Sequence, residues 1–123
     1  MPELRLSPSW MKGWREATQK LQAAEKFVLN QSLEELAEAL RTCRDPMLDP
    51  ELRRWSPSRW EVPRQQATAG QWVEYRLGDS ENRGRVIVCC DREHDVIYLV
   101  AATPIHDHTS LRAMVRGFPV KPR

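Results

Sequence analysis

Trp72-Val73-Glu74-Tyr75-Arg76-Leu77, then Arg85-Val86-Ile87-Val88-Cys89-Cys90, then Val96-Ile97-Tyr98-Leu99-Val100-Ala101-Ala102 are the three runs that decide the fold. The first alternates, placing Val73, Tyr75 and Leu77 on one face of a strand and Trp72, Glu74 and Arg76 on the other. The second and third are continuous apolar runs of strand length, separated by the charged tip Asp91 to Asp95, which predicts a hairpin. Gly78 to Gly84 is a polar turn, so the three runs form an antiparallel meander. Cys89 and Cys90 are neighbours in a strand and point to opposite faces. They suit neither a mutual disulfide nor a shared metal, and read as small buried hydrophobes.

The stretch before the meander, residues 44–70, is broken by Pro46, Pro50, Pro57 and Pro63, which exclude a long regular element. Asp49 to Trp55 can form a helical turn or two. This connection is long and interleaves Arg53, Arg54, Arg59 and Arg64 with Trp55 and Trp60. Arginine with aromatics is the composition of a surface that grips a partner or stacks on bases. The competing reading is that the tryptophans anchor the loop on the core.

Further toward the N-terminus, Trp10, Trp14, Ala17, Leu21, Ala24 and Val28 recur at helical spacing, which predicts one helix of about five turns. Ser7 and Pro8 supply its cap and first position. Asn30 and Gln31 interrupt it, Ser32 and Glu35 form a capping box, and Leu33, Leu36, Ala37 and Leu40 make a second stripe. An αα-hairpin is expected. Glu3 to Ser7 alternate as a short strand would. After the meander, Ser110 to Arg116 predicts a short helix stopped by Gly117 and Pro119, and Lys121 and Arg123 a loose basic tail. The expectation is a single α+β domain over residues 1–123. It has a short N-terminal strand, a helical hairpin packed on an antiparallel sheet, and a short C-terminal helix.

Composition agrees: 123 residues, 41% hydrophobic and 29% charged, suit one globular domain. Three cysteines without framework spacing, and no secretion pattern at Met1 to Arg5, lead to an expected cytoplasmic location and no membrane contact. The net charge of +2 does not announce a nucleic-acid binder. Residues 1–50 hold 7 basic and 8 acidic side chains, so the positive excess lies beyond them.

No internal repeat, phosphate-binding loop, zinc signature or hydrolase elbow is present. The polar residues that could carry chemistry gather around the meander. Glu74 shares a face with Arg76, Arg85 opens the next strand, and His106, Asp107 and His108 come after the last. Whether they converge depends on strand register. His106 and His108 face the same way in an extended segment, but a third metal ligand is lacking. His94, at the hairpin tip, reads as solvated.

The order of elements, together with Gly70-Gln71-Trp72-Val73-Glu74-Tyr75-Arg76-Leu77-Gly78, Gly84-Arg85-Val86-Ile87-Val88 and Asp95-Val96-Ile97-Tyr98-Leu99-Val100-Ala101-Ala102, resembles the RelE/ParE toxin superfamily of bacterial toxin–antitoxin systems. The resemblance covers most of the chain. It implies a RelE-like fold, a cognate antitoxin as partner, and metal-independent, cofactor-free cleavage of messenger RNA at the ribosome. It further implies that Arg76 and Arg85 hold and neutralise phosphate, and that His106 or His108 does the acid–base work. A second reading stays open, in which the chain is non-catalytic or acts on a protein target, as ParE-type members act on gyrase. Trp55, Trp60 and the helices would then carry function instead.

Overall fold

The computed structural model describes residues 3–6, 10–61, 70–78, 84–91 and 93–118. Four strands come from the alternating and apolar runs. They are β1 (Glu3–Leu6), β3 (Gln71–Leu77), β4 (Gly84–Asp91) and β5 (Val96–Thr103), with the two-residue β2 (Ser58–Arg59) between β1 and β3 in the chain. The helices are α1 (Trp10–Thr18), α2 (Ala23–Thr42) and α3 (His108–Arg116), and Pro50–Trp55 forms a 3-10 turn. The sheet order is β1-β5-β4-β3-β2. All its pairings are antiparallel except β1 with β5, which run parallel with Leu4 opposite Ile97.

Alternation gives the sheet two buried faces, each covered by helices. On one face Val73, Tyr75, Leu77, Val86, Val88, Cys90, Ile97 and Leu99 pack with Trp10 and Trp14 of α1 and Leu29, Leu33, Leu36 and Leu40 of α2. On the other, Trp72, Ile87, Cys89, Val100 and Ala101 pack under Leu111 and Val115 of α3. Cys89 and Cys90 thus take opposite faces, as strand neighbours must. Trp72, expected beside polar residues on its face, is instead buried beneath α3 with its ring edge-on to Phe118.

One irregularity sets the phase of β5. Ile87 pairs with Ala101 while Val88 pairs with Leu99, leaving Val100 as the extra residue of a β-bulge. Alternation therefore resets between Leu99 and Ala101, and Thr103 comes to lie opposite Arg85 on the α3 face.

The helical region departs from the sequence expectation. The apolar stripe from Trp10 to Val28 is not one helix, because the chain leaves α1 at Thr18. The Thr18 hydroxyl bonds back to the Trp14 carbonyl at 2.9 Å, and Leu21 N closes a turn on Thr18 O at 3.1 Å. The second helix then starts at Ala23 and runs straight through Asn30 and Gln31. Asn30 breaks nothing. Its side-chain carbonyl accepts from Trp14 Nε1 at 2.8 Å and ties the two helices together. Ser32 is no cap either. It is buried mid-helix and accepts from Trp55 Nε1 and from Gly78 N, each at 3.2 Å. The expected Ser7–Pro8 cap and the tail residues Lys121 and Arg123 lie outside the described residues. Tyr75, fully buried, anchors the proline-rich connection by donating to the Pro46 carbonyl at 2.5 Å.

Candidate active site

Register, which the sequence could not give, assembles the site. In β3, Glu74 and Arg76 both point to the α3 face. Arg76 pairs directly with Arg85 of β4, and Arg85 in turn with Thr103 of β5. Three adjacent strands thereby present Glu74, Arg76, Arg85 and Thr103 at one end of that face. The Thr103 hydroxyl bonds the Ile105 carbonyl as the chain turns out of β5. Asp107 then caps α3, accepting from the Ser110 backbone N–H at 3.1 Å and the Ser110 hydroxyl at 2.7 Å. These bonds hold the Asp107 carboxyl below its ordinary range, Ser110 being the main cause. The cap fixes where the helix starts, and so places His108.

His108 reaches back over the sheet, its Nε2 3.2 Å from Glu74 Oε2. The second Glu74 oxygen accepts from the Ser58 hydroxyl at 3.4 Å. The carboxylate is 14% exposed and the imidazole 42%, so an acceptor held in the sheet lies beneath a titratable group open to solvent. Two rings bracket His108, both edge-on: Trp60 at 5.7 Å and His106 at 4.5 Å between centroids. Trp60 is itself fixed to the sheet, donating from its backbone N–H to the Trp72 carbonyl at 3.0 Å.

The electrostatics of the pair Arg76 and Arg85 are unusual for a strand. Directly opposed like charges destabilise an antiparallel pair, and here the two guanidiniums share one face. Arg85 is 6% exposed and donates Nη1 to the Gly84 carbonyl at 3.0 Å. Burial lowers its pKa and the neighbouring Arg76 lowers it further, while Glu74 pulls in the opposite direction. An arginine stays charged under such shifts. The arrangement is thus a buried cation in the sheet with an exposed one beside it, and an anion placed between them relieves their repulsion.

Of the residues singled out in the sequence, Arg76, Arg85, His106, His108 and Trp60 come together here. The others do not. Arg54 pairs with Glu35 of α2, and its guanidinium covers the Trp55 ring at 4.4 Å. Trp55 is 4% exposed and belongs to the core, because Ser32 offers its indole N–H an acceptor at that depth. It is therefore a loop anchor and not part of an exposed gripping surface. Arg53 is exposed on the same 3-10 turn, and Arg59 pairs opposite Val73, on the face away from Glu74. Arg64 lies outside the described residues. His94, expected to be solvated, bonds Asp91 at 2.8 Å. Ser58 was not singled out in the sequence, and Glu74 and Asp107 were named beside the candidate residues without a role. For Glu74 the signal was present in the alternation that puts it on the face of Arg76; its partner became visible only with the register.

Among the described residues no group of three or more His, Cys, Asp or Glu side chains is placed to hold a metal ion. No described helix is long and apolar enough to cross a membrane.

No family model and no curated protein matches this chain. Two solved structures do. One is the archaeal RelE–RelB complex from Pyrococcus horikoshii OT3, with TM-score 0.53 and 17% identity over 84% of this chain and 93% of that one. The other is an arginine double mutant of the E. coli toxin RelE in the free state, with TM-score 0.54 and 14% identity over 94% of this chain and 95% of that one. The chain has the RelE-like fold, an N-terminal strand and helices on a mostly antiparallel five-stranded sheet with a C-terminal helix at its end. The fold implied by the sequence resemblance is the fold found.

Proposed function

We propose that the chain is the toxin of a toxin–antitoxin pair and cleaves messenger RNA by a metal-independent transesterification, with Glu74 and His108 as its proton-transfer pair. The observation that carries this reading is the 3.2 Å contact between Glu74 and His108 beside the opposed Arg76 and Arg85. Cleavage by an internal nucleophile needs an acceptor for the 2′-hydroxyl proton, a donor for the departing 5′-oxygen, and cations against the phosphorane charge. Glu74 takes the proton as the 2′-oxygen bonds to phosphorus. His108 gives one to the 5′-oxygen as the P–O5′ bond breaks, leaving a 2′,3′-cyclic phosphate. Arg85 presents a fixed charge to the phosphate, and Arg76 can close on it bidentately. His106 supports His108 through their edge-on contact. An antitoxin partner is proposed by analogy with the complexed archaeal neighbour, and the ribosome as the place where RNA is presented.

Induced expression in a bacterial host, comparing the unaltered chain with Glu74→Gln and His108→Gln, tests the reading. Growth arrest with RNA fragments ending in cyclic phosphate, lost by a factor of about 10² to 10⁴ in either variant, is expected. Arrest with intact RNA points to a protein target of the ParE kind. Folded protein that causes no arrest shows a non-catalytic homologue.

A further inference from the structure

His108 is the first residue of α3, and the rest of that helix has its own pattern. The sequence His108-Thr109-Ser110-Leu111-Arg112-Ala113-Met114-Val115-Arg116 contains no acidic residue. Leu111 and Val115 are buried on the sheet, while Thr109, Arg112, Ala113 and Arg116 are exposed. His108, Arg112 and Arg116 stand at positions i, i+4 and i+8, so they fall on one line along the helix, about 6 Å apart at 1.5 Å per residue. That step is on the order of the contour spacing between adjacent phosphates of an extended strand. Among the described residues, neither Arg112 nor Arg116 has an ion-pair partner.

We infer that Arg112 and Arg116 form a phosphate rail that carries single-stranded RNA away from the site, with His108 at its inner end. The inference rests on the proposed function for the identity of the strand, but not for the rail itself. Two observations commit it to a polyanionic strand. The helix side has one sign of charge, and its first residue, His108, reaches Glu74, which shares a face of β3 with Arg76, the residue directly opposed to Arg85. Phosphate contacts of this kind add affinity and direction without reading sequence. The two arginines are thus binding residues and have no part in the proton transfers.

The test uses the full chain and a short 2′-O-methyl oligoribonucleotide, which binds but lacks the nucleophile. Dissociation constants are measured across a series of salt concentrations for the unaltered chain and for Arg112→Gln/Arg116→Gln. A control, Arg15→Gln/Arg41→Gln, makes the same change of net charge on α1 and α2. Removing two phosphate contacts lowers the slope of log affinity against log salt by about 1.4. The control leaves the slope unchanged. Equal slopes in all three proteins, or an equal fall in both variants, overturns the rail. So does binding of polyglutamate in place of the oligonucleotide with the same dependence on Arg112 and Arg116, because the surface then fits an acidic protein segment. Cleavage of natural RNA by the unaltered chain is scored separately. A reduced slope without cleavage keeps the rail and removes the nuclease, whereas cleavage with an unaltered slope does the reverse.

Discussion

Replacing Ser32 by alanine tests whether this serine caps a helix or joins three elements from inside one. Its hydroxyl oxygen accepts from the indole of Trp55 and from the backbone of Gly78, both at 3.2 Å, and Ser32 is 6% exposed. Alanine strands both donors. A buried donor without an acceptor costs about 1–3 kcal/mol. The Trp55 donor is deep enough to bear such a penalty, while Gly78 is half-buried and water can offset part of its loss. Both bonds lie at the long end of good geometry, and alanine recovers a few tenths of a kcal/mol through its helix propensity. The net expectation is a loss of about 2 kcal/mol, large against a total of about 6–18 kcal/mol for a chain of this length. In urea, with a slope of about 1.5 kcal/mol per molar, the midpoint falls by roughly 1.3 M. The sharper measurement repeats Ser32→Ala in the Trp55→Phe background, where one of the two donors is already gone. The cost of the serine substitution there should shrink by about 1 kcal/mol. A capping serine would cost about 1 kcal/mol whatever stood at position 55. A loss below about 0.5 kcal/mol, or the same loss in both backgrounds, refutes the reasoning.

The packing leads to two further outcomes. Burial, with added repulsion from Cys90, Cys43, Asp45 and Asp49, raises the Tyr75 hydroxyl far above its ordinary pKa. A group raised in the folded state contributes stability that is fully present below its unfolded pKa of about 10 and declines as pH climbs beyond it. Burial also pushes the Cys89 thiol up to about 12, so its contribution begins to fall near pH 8.5. Urea midpoints at about pH 9 and about pH 11 should therefore converge between the unaltered chain and Tyr75→Phe as the tyrosine contribution is lost. A gap that stays constant contradicts the assignment. Gly70 has φ +85°, and a Cβ there would lie 2.3 Å from the Cys90 carbonyl oxygen. Gly70→Ala combines left-handed strain with a backbone clash, so a loss of about 2–4 kcal/mol is expected, or roughly 10 °C in Tm. A shift under about 2 °C counts against this account.

The sheet was legible because its signal is local. Period-2 alternation in Trp72 to Leu77 and two apolar runs around Asp91–Asp95 suffice for three strands, and they came out within a residue or two of their expected bounds. The helix boundaries were not legible, for a reason seen at Thr18 and Asn30. A polar residue inside a helical pattern can break the helix or bond across to a neighbour, and only the neighbour decides which. Trp14 is that neighbour for Asn30, and Trp55 plays the same part for Ser32. The parallel pairing of β1 with β5 also depends on contacts far apart in sequence. The site was half legible. Residue types picked out Arg76, Arg85, His106 and His108, but Glu74, which alternation placed on the face of Arg76, had no partner until the register brought His108 onto it. Trp55 and Trp60, alike in sequence context, part ways because Ser32 draws the first inward and β3 holds the second at the edge.

The extra residue at Val100 means that the face of the site is set by strand pairing as well as by alternation. Pairing β5 with β4 without the bulge but with Val100 retained would slip the later register by one residue and turn every later side chain of the strand over, sending Thr103 toward α1 and α2. The segment carrying His106 and His108 would then leave the sheet on the side away from Glu74 and Arg85, with all of those residues still present. Deleting Val100 has the opposite outcome: Leu99 and Ala101 become ordinary alternating neighbours, and Ala101 stays opposite Ile87 and Thr103 opposite Arg85. When relatives of this chain are aligned, a one-residue gap between Leu99 and Ala101 is thus compatible with an intact centre, because it removes the bulge and keeps the faces.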